Sequence, residues 1–113
     1  ATSFIVTLVR SPIGIQVIST EIPQRFALYN NYPNPFNPVT KINFDIPNIS
    51  GDKKVQVAVY DVLGNLVEFV VNQELTAGKY SVDWNASNYS SGIYFYRINA
   101  GSFTDTRKMI LVK

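Results

Sequence analysis

Cysteine and histidine are both absent from this chain of 113 residues. Without cysteine there is no disulfide and no thiolate, so the stability of the fold must come from packing alone. Without histidine the chain lacks the usual general base and the commonest metal ligand. Nucleophilic triads need such a base beside a serine or cysteine. The sequence therefore predicts a protein that is not an enzyme and that holds no cofactor.

Long hydrophobic runs and strong net charge are missing as well. No apolar run approaches the length of about 18 residues that a membrane-spanning helix needs, so no transmembrane segment is predicted. The net charge is +2, with lysine and arginine scattered along the chain. This distribution forms no basic patch of the kind that binds nucleic acid, so nucleic acid is not expected as a partner.

Aromatic residues and strand-like alternation are abundant. Seven tyrosines and seven phenylalanines, with 46% apolar residues overall, favour a single β-rich domain with one core. In stretches 40–46 and 55–60 apolar and polar residues alternate, which places Phe44 and Val57 inside and Asp45 outside. Seven strands are predicted after residue 22, at 26–29, 40–46, 55–60, 65–71, 80–84, 93–99 and 103–112. Short connections between them indicate an antiparallel β-sandwich.

One turn between these strands is well defined by its residue types, and the strand that follows it is not. Asp61 begins the turn and Gly64 ends it, which predicts a hairpin closed by a left-handed glycine. In the return strand two arrangements stay open. Either the odd-numbered apolar residues 67, 69 and 71 share a face, or a bulge brings Val67 and Val70 together.

The stretch 31–38, Asn-Tyr-Pro-Asn-Pro-Phe-Asn-Pro, interrupts the alternation. Its prolines fix φ and remove backbone donors, so neither a helix nor a central strand passes through it. We expect a rigid crossover whose two rings, Tyr32 and Phe36, hold it to the core. Its asparagines are expected to bond to nearby backbone.

Four stretches of the chain carry a resemblance to a known family. They are Tyr-Pro-Asn-Pro-Phe-Asn-Pro at 32–38, Val-Tyr-Asp-Val-Leu-Gly at 59–64, Ser-Gly-Ile-Tyr-Phe-Tyr at 91–96 and Lys-Met-Ile-Leu-Val-Lys at 108–113. In this order they resemble the type A C-terminal sorting domain of the bacterial type IX secretion system, over about residues 22–113. The resemblance implies an immunoglobulin-like sandwich that is secreted to the exterior or surface of a Gram-negative bacterium. It implies the outer-membrane secretion machinery as a partner.

The resemblance also implies which residues the export machinery reads. The residues that match the secretion motifs are Pro33, Asn34, Pro35, Gly92, Tyr94, Lys108 and Lys113. Ordinary structural roles stay open for them, since a glycine can begin a strand and a tyrosine can fill a core. The oxygen-bearing residues Asp83, Asn85 and Asn88 are more consistent with a turn than with a calcium site, because only one of them is charged.

The first 21 residues lie outside the resemblance and are interpreted as a separate N-terminal segment, followed by the sandwich at 22–113. Residues 4–9 are apolar on both faces and predict a strand that is covered on both sides. A second short strand is predicted at 15–18. Because seven later strands already complete a sandwich, the first strand is expected to pair with a neighbouring copy. The candidates for this subunit pairing are Phe4, Ile5, Val6, Leu8 and Val9.

Three functional hypotheses from different classes follow. The main one is a non-enzymatic structural protein whose copies assemble by N-terminal strand addition into an extracellular filament or surface layer. It depends on the expectation that no large passenger precedes the sandwich. The alternative is a C-terminal targeting module, excised from a longer protein, that directs a passenger through the type IX system to the cell surface. The third is a binding sandwich that uses exposed aromatic residues such as Tyr89, and fold alone does not choose among them.

Overall fold

The computed structural model describes residues 15–19, 21–49, 51 and 53–113. These residues form strands and no helix, so nothing in them is a helix that could cross a bilayer. The predicted all-β class is confirmed, with seven strands after residue 22 and one before it. In chain order the strands are β1 (Gln16–Ser19), β2 (Ala27–Leu28), β3 (Val39–Ile46), β4 (Lys54–Tyr60), β5 (Leu66–Glu74), β6 (Gly78–Asn85), β7 (Gly92–Ala100) and β8 (Phe103–Leu111).

Two sheets of four antiparallel strands form the predicted sandwich. Sheet 1 has the strand order β1-β6-β3-β2, and sheet 2 has the order β5-β4-β7-β8. The side chains of a strand point alternately to the two faces of its sheet, and the inward-facing side chains of the two sheets meet in a single core. The side chains of Ile42, Phe44 and Val57 are completely buried there, as the alternation predicted.

Asp45 contradicts the prediction that it faces solvent. It lies on the outer face of β3, yet only 6% of the residue is exposed. The Tyr29 hydroxyl donates to Asp45 Oδ2 at 2.6 Å, and Lys79 Nζ lies 3.3 Å from the same oxygen. The hydrogen bond to Asp45 raises the pKa of both Tyr29 and Lys79. The prediction failed because Tyr29, which follows β2, and Lys79 of β6 bring their side chains over the carboxylate.

A bulged register decides which residues of β5 face inward. The pairing of β4 with β5 shifts between Val57 and Ala58 and again between Val59 and Tyr60. Val70 and Val71 are consequently both buried, Val67 packs against the core, and Phe69 is exposed. The bulge arrangement is therefore confirmed, and the alternative that placed Phe69 inside is wrong.

The hairpin between β4 and β5 has the predicted geometry. Gly64 has φ of 88°, and its N–H donates to the Asp61 carbonyl at 3.0 Å. Asp61 Oδ1 also accepts hydrogen bonds from the backbone N–H groups of Leu63 and Asn65, each at 2.9 Å. Three bonds to one residue fix the conformation of the turn.

Only one ring of the proline-rich crossover holds it to the core. Phe36 is 2% exposed, as predicted, whereas Tyr32 is 80% exposed, so the prediction for Tyr32 is wrong. Its backbone explains the orientation, because Tyr32 exchanges two hydrogen bonds with Lys41 of β3, at 3.0 and 2.9 Å, while the ring points to solvent. The peptide bonds before the three prolines of the crossover are cis.

The predicted second strand of the N-terminal segment is β1, an edge strand of sheet 1. Gln16 pairs with Ser81, Val17 pairs with Tyr80, and Ile15 is buried in the core. β1 thus belongs to the same sandwich as the strands after residue 22. The subunit-pairing candidates Phe4, Ile5, Val6, Leu8 and Val9 lie outside the described residues.

Candidate functional site

The residues that were matched to the secretion motifs lie together at one end of the sandwich. Four segments meet there, namely the crossover 32–38, the loop 86–91, the start of β7 and the end of β8. In the register of β7 and β8, Gly92 pairs with Leu111 and Tyr94 pairs with Met109. Phe36 forms a parallel bridge with Leu111 from the other side. The end of β8 is therefore the centre of this region, which we call the motif end.

The crossover covers the outer edge of β8. The Phe36 N–H donates to the Ile110 carbonyl at 3.0 Å, and the Val112 N–H donates to the Phe36 carbonyl at 2.9 Å. Next to them, Asn34 Oδ1 accepts from the Ile110 N–H at 3.0 Å, and Asn34 Nδ2 makes a longer contact of 3.5 Å with the Lys108 carbonyl. The Asn34 carboxamide thus takes the place that the backbone of a further strand, next to β8 in sheet 2, would occupy.

Pro33 and Pro35 are exposed on the outer side of this covering segment. The covering segment pairs with β8 through one side only, and its other side faces solvent. Proline has no backbone N–H, so at these solvent-facing positions no hydrogen-bond donor is left unsatisfied. A proline also offers no N–H to a further strand, which protects an edge from pairing with other chains. The prolines of the motif therefore have a structural explanation in the protection of the β8 edge.

An aromatic cluster supports the motif end from inside. The Trp84 ring is surrounded by the rings of Phe36, Tyr89 and Tyr94, with centroid distances of 5.5 to 5.7 Å. Tyr94 is 7% exposed, and its hydroxyl donates to the Ser90 carbonyl at 2.7 Å. Tyr94, one of the residues matched to the secretion motifs, thus fills the core and supports the surface of the motif end from beneath.

Tyr89 does not form the exposed aromatic platform that the binding-sandwich hypothesis proposed. Its ring packs against Trp84, and its hydroxyl donates to Glu68 Oε1 at 2.9 Å. This hydrogen bond raises the pKa of Tyr89. A half-buried ring that is already engaged on one face offers little surface to a ligand.

Gly92 begins β7 in a conformation that favours glycine. Its φ is 155°, and a Cβ built on it would meet no atom within 4 Å. The requirement for glycine therefore comes from the backbone and not from crowding. This conformation lets the chain leave the loop 86–91 and enter the register in which Gly92 faces Leu111.

The two lysines of the motif differ in their surroundings. The N–H of Lys113 donates to Ser91 Oγ at 2.9 Å, and its Nζ donates to the Ser87 carbonyl at 2.6 Å. Lys108 is exposed on the outer face of sheet 2, opposite Phe95. The sequence did not single out Ser87 or Ser91, because nothing local shows that the end of the chain packs against their loop.

The loop after β6 is built as a turn. Asp83 forms an ion pair with Lys41, with an Nζ to Oδ1 distance of 2.7 Å. Asn85 Oδ1 accepts from the Ser87 N–H at 2.9 Å. These two side chains are therefore engaged in pairing and in the turn. Across the part of the chain that the structure describes, no three residues of histidine, cysteine, aspartate or glutamate cluster as metal ligands would.

Comparison with known families identifies the domain. Residues 30–113 match the family model of the secretion system C-terminal sorting domain. The chain belongs to this family. Proteins with this domain are secreted to the cell surface or the extracellular space of Gram-negative bacteria, so the predicted localisation is confirmed. The match includes the crossover, the loop 86–91 and the end of β8, which together form the motif end.

A solved structure shares the fold of the sorting domain. It is PorZ of Porphyromonas gingivalis, described as an essential bacterial surface component of the type IX secretion system. The TM-score is 0.52 at 19% sequence identity, over 77% of this chain and 12% of that chain. The chain thus spans a small part of PorZ, and at this identity the similarity shows the fold alone. No curated protein matches the chain.

Proposed function

We propose that this sorting domain is a targeting module that directs a passenger protein through the type IX secretion system to the cell surface. The observation that carries the proposal is the family match over residues 30–113. The geometry of the motif end supports it, since motif residues that are far apart in sequence form one surface. Association with the type IX machinery is what membership of this family suggests.

The motif end is suited to recognition as a folded surface. Asn34, Lys108 and Lys113 are exposed, and hydrogen bonds or strand pairing hold each of them in place. A partner that binds such a preorganised surface loses less conformational entropy than one that must order a free tail. The covered edge of β8 also prevents strand pairing between copies before export.

The module is proposed to act by binding and not by catalysis. The chain contains no histidine and no cysteine. Its carboxylates at Asp45, Asp61 and Asp83 are engaged in ion pairs or in a turn. These observations and the match to the sorting-domain family both support a non-enzymatic role.

Nothing in the described residues supports assembly into a filament. The pairing candidates at positions 4–9 lie outside them, and β1 pairs with β6 of its own sandwich. We therefore propose the targeting function in place of the structural one. Sedimentation of the purified chain separates the two, because a targeting module is expected to run as a small discrete species and a filament protein is not.

The targeting function is tested by export of a reporter. The complete chain is fused behind a fluorescent protein that carries a signal peptide for transport to the periplasm. The fusion is expressed in a Gram-negative strain with intact type IX machinery and in an isogenic strain that lacks it. We expect fluorescence on the cell surface or in the medium only in the first strain. Equal distribution of the reporter in both strains would contradict the proposal.

A further inference from the structure

The outer face of sheet 2 carries aromatic and aliphatic side chains near the hairpin of β4 and β5. The inward residues of β4 and β7 are buried, so the alternate residues of these strands point outward. In the register of the sheet, Tyr60 faces Leu66 on one side and Phe95 on the other, and Phe95 faces Lys108. Directly paired side chains lie on the same face, so these four form one continuous row across the sheet.

This row lies beside a groove next to the hairpin. The groove has a volume of about 270 Å³ and is lined by Tyr60, Val62, Phe95 and Arg97, among others. Val62 is 64% exposed and Leu66 is 50% exposed. Val62 lines the groove, and Leu66 pairs with Tyr60, which lines it as well. Exposed apolar side chains around a concave feature are typical of interaction sites. We call the following residues the outer patch: Tyr60, Val62, Leu66, Phe95, Arg97 and Lys108.

The outer patch is held in a fixed arrangement. The Arg97 guanidinium lies 5.2 Å from the centroid of the Tyr60 ring, and its Nε donates to Thr106 Oγ1 at 3.2 Å. The hydrogen bonds that the Asp61 carbonyl and Asp61 Oδ1 accept fix the turn that carries Val62. A partner would therefore meet groups that are already ordered, which lowers the entropic cost of binding.

The charge of the outer patch indicates the kind of partner that fits it. Arg97 and Lys108 are the charged side chains at its strand positions, as far as the described residues show. Asp61 lines the rim of the groove, but its carboxylate is engaged by the backbone of the turn. The patch thus presents one cation, Arg97, in the lining of the groove and a second, Lys108, opposite Phe95 in the neighbouring strand. Charge complementarity favours a partner with carboxylates around an apolar side chain.

We propose that the outer patch docks an acidic protein segment at the outer membrane, a segment that inserts an apolar side chain into the groove and presents carboxylates to Arg97 and Lys108. This proposal rests on the proposed targeting function, which brings the domain to the outer membrane. Lys108 links the patch to the motif end, because its carbonyl contacts Asn34 while its side chain lies in the row of Phe95. Tyrosine, phenylalanine and arginine are also the residues that protein interfaces favour. Recognition of a lipid surface would instead favour a denser cluster of lysine and arginine.

The proposal is tested by the binding of the full chain to isolated outer membranes. The probe is outer membrane from a strain with intact type IX machinery, compared with vesicles made from the lipids extracted from the same membranes. A charge variant carries Arg97→Glu and Lys108→Glu, and an apolar variant carries Val62→Ser and Leu66→Ser.

Each variant has a matched control. Arg25→Glu with Lys53→Glu changes the net charge equally at exposed positions outside the patch, and Ile18→Ser with Ile22→Ser changes exposed apolar residues elsewhere. Thermal melting of all four proteins verifies that they are folded.

We expect saturable binding to membranes that weakens with salt, and an affinity about tenfold or more lower in both patch variants, as at interface hot spots. Both controls should bind like the parent chain, and lipid vesicles should bind none of them. Undiminished binding of the folded patch variants would overturn the proposal, and so would equal binding to lipid vesicles. If the patch variants bind normally while the reporter fusion is still exported, the docking proposal fails and the targeting function stands. If patch-dependent binding persists on membranes that lack the type IX machinery, the acidic partner lies outside that machinery.

Discussion

The covering of the β8 edge by Asn34 leads to a prediction that tests the architecture of the motif end. Replacing Asn34 by alanine removes one good hydrogen bond, from the Ile110 N–H at 3.0 Å, and one long contact of 3.5 Å to the Lys108 carbonyl. A typical intramolecular hydrogen bond contributes about 0.5–1.5 kcal/mol to stability. Because the edge lies at the surface, water replaces the lost partner, so we expect a total loss of roughly 1 kcal/mol.

Two measurements follow from this value. A loss of roughly 1 kcal/mol lowers the melting temperature by about 4 °C for a domain of this size. The local effect is sharper, since the exchange of the Ile110 amide hydrogen with solvent should become about fivefold faster or more when its acceptor is removed. Amide exchange followed by NMR measures both the site and the magnitude. The amide of Val112 should change less, because it donates to the backbone of Phe36 and not to Asn34.

Two further variants make this test specific. Asn37 is an exposed asparagine that also precedes a proline of the crossover, and the described residues contain no hydrogen-bond partner for its side chain. Asn37→Ala should therefore leave both the melting temperature and the exchange of Ile110 unchanged. Asn34→Asp retains an acceptor oxygen, so it should keep most of the protection of the Ile110 amide. Unchanged Ile110 exchange in Asn34→Ala would refute the role of this side chain as a substitute for a strand.

Two other predictions concern the fold. Gly64→Val should destabilise the domain by roughly 1–3 kcal/mol, because the φ of 88° is strained for a β-branched residue; a denaturation curve that matches the parent would contradict this. Burial raises the pKa of Tyr96 to about 12, above the value of about 10 in an unfolded chain. Its contribution to stability is therefore complete below about pH 10 and is lost as the pH rises through about 12, which amounts to roughly 2–3 kcal/mol. Tyr96→Phe should flatten the fall of stability with pH in this range, measured by urea denaturation at each pH, and an unchanged slope would show that Tyr96 is not its source.

The strands could be predicted because alternation is a local property of the chain. Ile42, Phe44 and Val57 are buried as the period of two requires. Asp45 and Tyr32 were assigned wrongly, because their exposure depends on residues from other elements. Asp45 is covered by the side chains of Tyr29, which follows β2, and of Lys79 in β6. The ring of Tyr32 points outward because its backbone pairs with β3.

The facing of β5 was not fixed by its apolar residues alone. Positions 67 to 71 contain enough apolar residues for either face, and only the register with β4 decides between them. Each shift in that register changes which side of the sheet the following residues occupy. The exposure of Phe69 is thus a property of the pair of strands and not of β5 alone.

The residues of the motif end could be named from the resemblance, but their arrangement could not be derived from the sequence. No local pattern shows that Asn34 contacts Ile110, a residue 76 positions later in the chain. The same holds for Lys113, whose amino group donates to the carbonyl of Ser87. The contacts that create the surface are therefore long-range, and only the register of β8 with β7 and with the crossover brings them together.

These long-range contacts between motif residues exist only in the folded domain. Asn34 and Lys108 are 74 positions apart and adjoin only when β8 lies against the crossover. Phe36 connects this contact to the core, because its backbone pairs with β8 while its ring packs against Trp84. Loss of the core would therefore separate the two motifs, whereas a short linear signal would survive unfolding. A receptor that contacts Asn34 and Lys108 together would for this reason bind the folded domain and not the unfolded chain.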